Sequence, residues 1–176
     1  RILFISEILI VLLYRKEIKN MSEAELRLVK AAKNCTIYSI QFLSEDESEF
    51  ERFYAKFRDE SVYNEDFERL LNIIGRIADF GAFERFFRPE GKMSDRVCAL
   101  PVLKSRLRLY CLRLSDKILI LGNGGVKATP TYNEDDTLKG YVITLQNFDK
   151  LITEGVKNGS ILVTENTIET KNTFDI

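Results

Sequence analysis

The stretch that decides the fold is Arg106-Leu-Arg-Leu-Tyr-Cys-Leu-Arg-Leu-Ser-Asp-Lys-Ile-Leu-Ile-Leu-Gly-Asn-Gly-Gly-Val-Lys127. Apolar, β-branched and aromatic residues fill both of its halves, and a short polar break at residues 115–117 separates them. Such a pattern is typical of two strands joined by a tight turn. The sequence therefore predicts a β-hairpin at the centre of the fold.

The first of these two strands carries different chemistry on its two faces, because side chains alternate along a strand. One face is apolar and the other is cationic, which gives the sets Leu107, Leu109, Cys111 and Arg106, Arg108, Tyr110. The second strand, from Ile118 to Leu121, contains no polar residue. A strand of this kind is expected to be covered on both faces. The sequence thus places a row of cations beside a buried strand.

Composition is that of a globular domain with its own core, since the 176 residues are 45% apolar and 30% charged. The net charge of -1 hides an uneven distribution. Residues 71–127 carry 11 basic and 5 acidic side chains, whereas residues 22–70 carry 7 and 12. This asymmetry favours a polyanion-binding middle segment, and an ordinary solvated surface is the alternative.

Cysteine and histidine content restricts the chemistry. The chain has three cysteines with no CxxC spacing, and it has no histidine. We therefore expect no zinc site, no other metal site, no cofactor and no disulfide framework, which fits a reducing cytoplasm. Any proton transfer would have to use Tyr, Lys, Glu or Asp.

The first twenty residues stand apart from the rest. Ile2 to Tyr14 form an apolar run that is too short for a confident membrane span and lacks a signal cleavage site. The first methionine is Met21. We expect the native protein to start there, to be independent of a membrane and to be stable without residues 1–20. An ordered extra helix and a truncated membrane anchor are the alternatives.

Between Met21 and Gly81, periodicity predicts four elements. Leu26 and Val29 predict a short helix from Ser22, and alternation over residues 35–43 predicts a strand. Ser44 and Glu47 fit a capping box before an aromatic helix. A second helix ends at Gly81. We expect a helix hairpin whose apolar stripes pack on the sheet through Phe53, Phe57, Leu70 and Ile74.

The later part of the chain predicts a strand near residues 97–102, then, after the hairpin, a helix from about Leu138 to Gly159. A strand over residues 160–164 and a frayed tail after Asn166 follow. Residues 122–125, Gly-Asn-Gly-Gly, match neither usual phosphate-loop pattern. They favour a bulge or a tight exit from the sheet, with a nucleotide-binding loop as the alternative.

Taken together, the order of elements resembles the RelE/ParE toxin superfamily, in particular its HigB-like and phage-derived branch. The specific likenesses are Leu107-Arg108-Leu109-Tyr110 in the central strand and Gly125-Val126-Lys127-Ala128-Thr129 at the strand exit, followed by Pro130 and a helix. Residues 35–132 carry the resemblance.

The resemblance implies an α+β fold in which an N-terminal strand and a helix hairpin pack on a small antiparallel sheet, with a C-terminal helix. On this basis residues 1–34 are an N-terminal extension, residues 35–132 the RelE-like core and residues 133–176 the C-terminal helix and tail.

For function, the resemblance implies the toxin of a type II toxin-antitoxin system, which a cognate antitoxin binds. Its implied activity is that of a metal-independent endoribonuclease that cleaves mRNA, either on the ribosome or free of it. Arg108, Lys127 and Tyr132 are the expected catalytic residues. Arg88, Lys92, Arg106 and Tyr110 are the expected RNA-binding residues. Guanidinium groups suit this task because their planar fork matches phosphate oxygens.

Two other functions fit the same scaffold. One is a non-catalytic binding module whose cationic face docks an acidic protein segment. The other is a gyrase-directed, ParE-like toxin, which would need no ribonuclease residues. For each arginine taken singly, an ordinary ion pair with a neighbouring carboxylate is the structural alternative.

Overall fold

The computed structural model describes residues 23–90, 96–171 and 173–176. These residues form an α+β fold in which three α-helices cover the two faces of a seven-stranded sheet. Residues 1–22 and Lys92 lie outside the described part of the chain. The predicted start at Met21, and the role predicted for Lys92, therefore stay predictions.

The sheet has the strand order β3-β4-β5-β6-β2-β1-β9. Adjacent strands are antiparallel except for β2 and β6, which are parallel. A separate two-stranded hairpin joins β7 to β8. The strands are β1 Glu23–Ala31, β2 Thr36–Phe42, β3 Arg88–Pro89, β4 Val97–Pro101, β5 Leu107–Ser115, β6 Ile118–Val126, β7 Ile161–Val163, β8 Ile168–Thr170 and β9 Phe174–Asp175. The predicted hairpin at the centre of the fold is confirmed as β5 and β6.

One face of the sheet is covered by a helix hairpin, α1 (Glu49–Phe57) and α2 (Asn64–Phe80). The four residues predicted to pack there are all buried: Phe53, Phe57, Leu70 and Ile74. Helix α2 ends where predicted, since Gly81 adopts φ 114° and its N–H donates to the Ile77 carbonyl at 2.8 Å. Positive φ favours glycine at that position.

The opposite face is covered by α3 (Asp136–Asn158), the predicted C-terminal helix. Its apolar stripe packs on β4, β5 and β6 through the buried residues Leu138, Val142, Leu145, Phe148 and Ile152. Gly159 ends it in the left-handed conformation, at φ 79°. The core is therefore split into two layers, one on each side of the sheet.

The structure corrects the prediction of a helix beginning at Ser22. Residues 23–31 form β1, which pairs with β2 along most of its length. Ala24, Leu26 and Leu28 alternate with charged residues, which is a period of two. The three-residue spacing of Leu26 and Val29 instead fits the 3.6-residue period of a helix. The available edge of β2 decides between these readings, because pairing satisfies backbone groups that an isolated short helix leaves exposed.

Two further predictions are wrong in detail. The capping box of α1 is formed by Ser48 and Glu51, not by Ser44 and Glu47. The tail is not frayed, because β8 pairs with β7 and β9 pairs with the start of β1. Phe174 is buried at 5% exposure and gives the chain end a hydrophobic anchor. The strand predicted over residues 160–164 is confirmed as β7.

Candidate functional site

Most of the predicted cations meet at one corner of the sheet, where β5 begins and β6 ends. Arg108 pairs across the sheet with Gly125. Two positions along the same two strands, the Lys127 N–H donates to the Arg106 carbonyl at 2.8 Å, so these two residues are also opposite each other. Because directly opposed residues share a face, Arg106, Arg108 and Lys127 lie on the same face of the sheet. That face is the one covered by α3, since Gly125 approaches Leu138.

Arg88 lies on this face as well. It pairs with Ala99, which in turn pairs with Tyr110, so these three residues form one row across β3, β4 and β5. Ala99 and Tyr110 belong to the core layer under α3. Alternation along the strands therefore brings Arg88 and Arg108 to the same side, two residue positions apart in register. The structure therefore places four predicted cations on this face, with Arg88 two strands away from Arg108.

Arg108 is held by its own loop. Its Nη1 donates to the carbonyls of Ser105 and Leu107, each at 2.8 Å. The loop is a tight turn in which Lys104 adopts φ 62° and the Ser105 N–H donates to the Val102 carbonyl at 3.0 Å. These bonds fix the guanidinium through one nitrogen and leave its other edge for a further acceptor.

The Nε of Arg108 is buried and has no hydrogen-bond partner among the described residues. A buried cationic N–H without an acceptor costs free energy, so such a group is normally satisfied by water, an ion or a ligand. The Nε and Nη2 edge of a guanidinium matches the oxygens of a phosphate or carboxylate. Arg108 is therefore the candidate oxyanion-binding residue of this corner.

The other cations of this face have no competing side-chain partner in the described part of the chain. The side chains of Arg88 and Arg106 are exposed and that of Lys127 is half-buried. None of the three forms an ion pair or a side-chain hydrogen bond within the described residues, so the ordinary ion-pair alternative does not apply to them there. Arg113 and Arg96 differ, because Arg113 donates to the Ala82 carbonyl at 2.6 Å and Arg96 pairs with Asp149 at 2.6 Å.

The two tyrosines of the site have different environments. Tyr110 is fully buried, and its hydroxyl has no partner in the described structure. Burial, followed by the charge of Glu90, raises the pKa of Tyr110 well above its usual value. Tyr132 is half-buried in a short 3-10 helix, and its ring meets that of Tyr110 edge-on at 6.4 Å. Only Tyr132 has part of its surface available to a ligand.

Two carboxylates at this corner were not predicted from the sequence. Glu90 and Asp135 both contribute to raising the pKa of Tyr110, which places them in its electrostatic neighbourhood. Asp135 caps α3, accepting from the N–H groups of Thr137 and Leu138 at 3.0 Å each. The acidic run at residues 134–136 favours a helix N-terminus through the helix dipole. No local signal connects Glu90 to the corner, because only the pairing of β3 with β4 brings it there.

The glycine run lies inside β6 and is not a phosphate loop. A Cβ at Gly124 would come within 2.0 Å of the Arg108 carbonyl oxygen, and the β5–β6 register shifts at this point. The predicted bulge with close backbone approach is thus confirmed, and the nucleotide-loop alternative loses its basis. The glycines let β6 approach the strand that carries Arg108.

Within residues 23–90, 96–171 and 173–176, no cluster of three acidic, cysteine or histidine side chains is arranged to hold a metal ion. No helix of that part of the chain has the length and apolar character needed to cross a membrane.

Comparison of the chain with protein-family models, with curated proteins and with solved structures finds no match.

Proposed function

We propose that this chain is a metal-independent endoribonuclease, the toxin of a RelE/ParE-like toxin-antitoxin pair, and that the cationic corner binds the RNA backbone. The observation that carries the proposal is Arg108, whose buried Nε lacks an acceptor while its Nη1 is fixed by two carbonyls. Arg106 and Lys127 lie on the same face, and neither side chain has an ion pair within residues 23–90, 96–171 and 173–176. A phosphate is the anion that such a group of cations fits best.

The reaction is attack of a ribose 2′-hydroxyl on the adjacent phosphorus. The O2′–P bond forms, the P–O5′ bond breaks, and the products are a 2′,3′-cyclic phosphate and a 5′-hydroxyl. Negative charge grows on the non-bridging oxygens during this step, and cations fixed in advance stabilise it. Arg108 supplies the paired N–H donors and Lys127 supplies a second positive charge.

Proton transfer falls to the remaining polar groups of the corner. Tyr132 donates a proton to the departing 5′ oxygen, and the Glu90 carboxylate, which has no hydrogen-bond partner among the described residues, accepts the 2′ proton. Tyr110 lies beneath the site and supports the ring of Tyr132. This supporting role replaces the RNA contact that the resemblance implies for Tyr110, because a fully buried ring has no face open to RNA.

The test is cleavage of a labelled mRNA by the purified chain, with and without translating ribosomes, with analysis of the new ends. Arg108→Lys keeps the charge but loses the paired donors, so we expect a loss of roughly 100-fold or more, the usual effect of removing one transition-state donor. Lys127→Met removes a charge that has no ion pair and no side-chain hydrogen bond within the described residues, so it is expected to lower the rate with an unchanged melting temperature.

Arg69→Lys is the matched control, because Arg69 is an exposed residue of α2 with only long ion pairs at 3.5 Å. It should cleave like the wild type. Absence of cyclic-phosphate ends under both conditions, or full activity of both Arg108→Lys and Lys127→Met, would refute the ribonuclease. Binding of RNA or of an acidic peptide without cleavage would instead support the non-catalytic module.

A further inference from the structure

Among the described residues, the outer edge of β1 has a strand neighbour only at its start. In the described part of the chain β9 pairs only with Glu23 and Ala24, and nothing pairs with the outer side of residues 25–31. Leu28 and Val29 on this edge are 56% and 39% exposed. An edge with unpaired backbone groups and apolar side chains is a template for another strand.

The backbone groups that point outward can be identified. The Leu43 N–H donates to the Glu23 carbonyl at 2.9 Å, so Glu23 directs its polar groups toward β2. Because this direction alternates along an antiparallel strand, the N–H and C=O groups of Leu26 and Leu28 point to the open edge. They are spaced so that Leu26 of one copy can exchange two hydrogen bonds with Leu28 of another.

The side chains fit the same symmetric register. Glu25 and Arg27 lie on the α1 face opposite Gln41 and Ser39, and a bulge at Val29 returns Lys30 to that face opposite Ile37. When two β1 strands pair about Arg27, Leu26 meets Leu28 of the second copy on the α3 side. Glu25 then faces Lys30 of the second copy. The two-fold axis at Arg27 generates the equivalent pair between Lys30 of the first copy and Glu25 of the second.

Charge also favours this pairing. Glu25 and Lys30 are exposed, and neither side chain has an ion-pair partner in the described residues. Arg27, at the axis, is held within its own chain, since Nη1 donates to Gln41 Oε1 and the Glu51 carboxylate lies nearby. Each guanidinium is thereby drawn toward its own α1 helix, which reduces repulsion between the two copies.

We infer that the β1 edge is a self-complementary interface at which a second copy of this chain adds its own β1 strand, antiparallel and with two-fold symmetry. The pairing joins two sheets through four backbone hydrogen bonds, two leucine contacts and two ion pairs. This surface is separate from the cationic corner, and the inference does not depend on the proposed ribonuclease.

Sedimentation velocity of the full chain across a concentration series is the test. The wild type is expected to show a concentration-dependent dimer. Glu25→Lys or Lys30→Glu alone replaces two attractions by two repulsions, and we expect each to weaken association roughly 3- to 30-fold, as cross-strand charge pairs do. The double variant restores complementary charge and should return to within about threefold of the wild type.

Leu28→Asp removes the apolar contact at the open edge and should give a monomer, while Val62→Asp, at a 75% exposed site between α1 and α2, should leave the dimer intact. Amide exchange gives a second measurement, with Leu26 and Leu28 protected only at high concentration. A wild type that stays monomeric, a dimer that survives Leu28→Asp, or failure of the double variant to recover would overturn the inference. Protection of both amides in a dilute monomer would do so too, because the edge would then be covered within one chain.

Discussion

At the scale of single residues, neighbouring positions on β5 have separate tasks. Arg108 donates from Nη1 to its own loop, and its buried Nε has no hydrogen-bond partner among the described residues. Two residues later Tyr110 buries a hydroxyl that has no partner in the described structure. Each of these two unpaired groups lowers the stability of the fold. The proposed binding site accounts for their occurrence together at one corner.

Tyr110→Phe tests the cost of that hydroxyl. The substitution keeps the ring and removes the unpaired group, so we expect a gain of about 1–2 kcal/mol in the free energy of unfolding by urea at neutral pH. Tyr54→Phe, on an exposed ring of α1, is the control and should change stability by less than about 0.5 kcal/mol. A loss of stability in Tyr110→Phe would mean that the hydroxyl has a partner in solution, such as a bound water.

The same variant has a defined pH dependence. The folded state raises the pKa of Tyr110 above its unfolded value of about 10, so the neutral form is favoured by folding. This contribution is complete below pH 10 and is lost as the pH rises above it. Tyr110→Phe should therefore lose less stability than the wild type above pH 10. Part of the alkaline fall will remain, because burial also raises the pKa of Tyr141.

At the scale of elements, α1 shows how a helix start is chosen. Ser44 and Ser48 each precede a glutamate by three positions, so the local pattern occurs twice in succession. The structure uses Ser48, whose Oγ accepts from the Glu51 N–H at 3.3 Å while its own N–H donates to Glu51 Oε2 at 2.8 Å. The Phe50 N–H donates to Ser39 Oγ at 3.0 Å, which ties the first turn to β2.

Ser48→Ala is expected to cost about 1 kcal/mol of unfolding free energy, within the usual range for loss of an N-cap. Ser44→Ala, at the exposed position that fits the pattern but is not used, should be neutral. Thermal unfolding of the two variants provides the comparison. Equal losses in both, or a larger loss in Ser44→Ala, would place the helix start four residues earlier.

At the scale of the whole molecule, contacts between distant parts of the chain complete the fold. The β9 strand pairs with the start of β1, and the ring of Phe174 packs on Phe148 of α3 with centroids 4.4 Å apart. The Arg96 side chain joins β4 to α3 through Asp149, with Nε and Oδ1 separated by 2.7 Å. The core layer under α3 thus depends on residues far apart in sequence.

Phe174→Ala tests whether the C-terminal residues are part of the core. Loss of a buried ring should cost about 3–5 kcal/mol. Phe80→Ala is the control, because that ring is 60% exposed and should cost less than about 1 kcal/mol. Urea denaturation gives both values. A loss at Phe174 as small as that at Phe80 would mean that the chain end is frayed in solution, as the sequence had predicted.

Much of this architecture could be predicted because it depends on local pattern. The stripe of period 3.6 locates α1, α2 and α3, and the alternation around Arg108 locates β5 and the face shared by its cations. Glycine marks the ends of α2 and α3, since Gly81 and Gly159 both adopt positive φ. In each case the physical cause lies within a few residues of the signal.

By itself, then, the sequence determined the helices, the central hairpin and the identity of the cations, because periodicity and turn chemistry are local. Only the tertiary structure decided that residues 23–31 are a strand and that β9 pairs with β1 at the edge of the sheet. It also decided that Tyr110 is fully buried while Tyr132 is only half-buried. It also brought Glu90 to the corner. These features depend on pairing and burial between segments distant in the chain, where the free energy of satisfying backbone groups and covering apolar surface outweighs local preference.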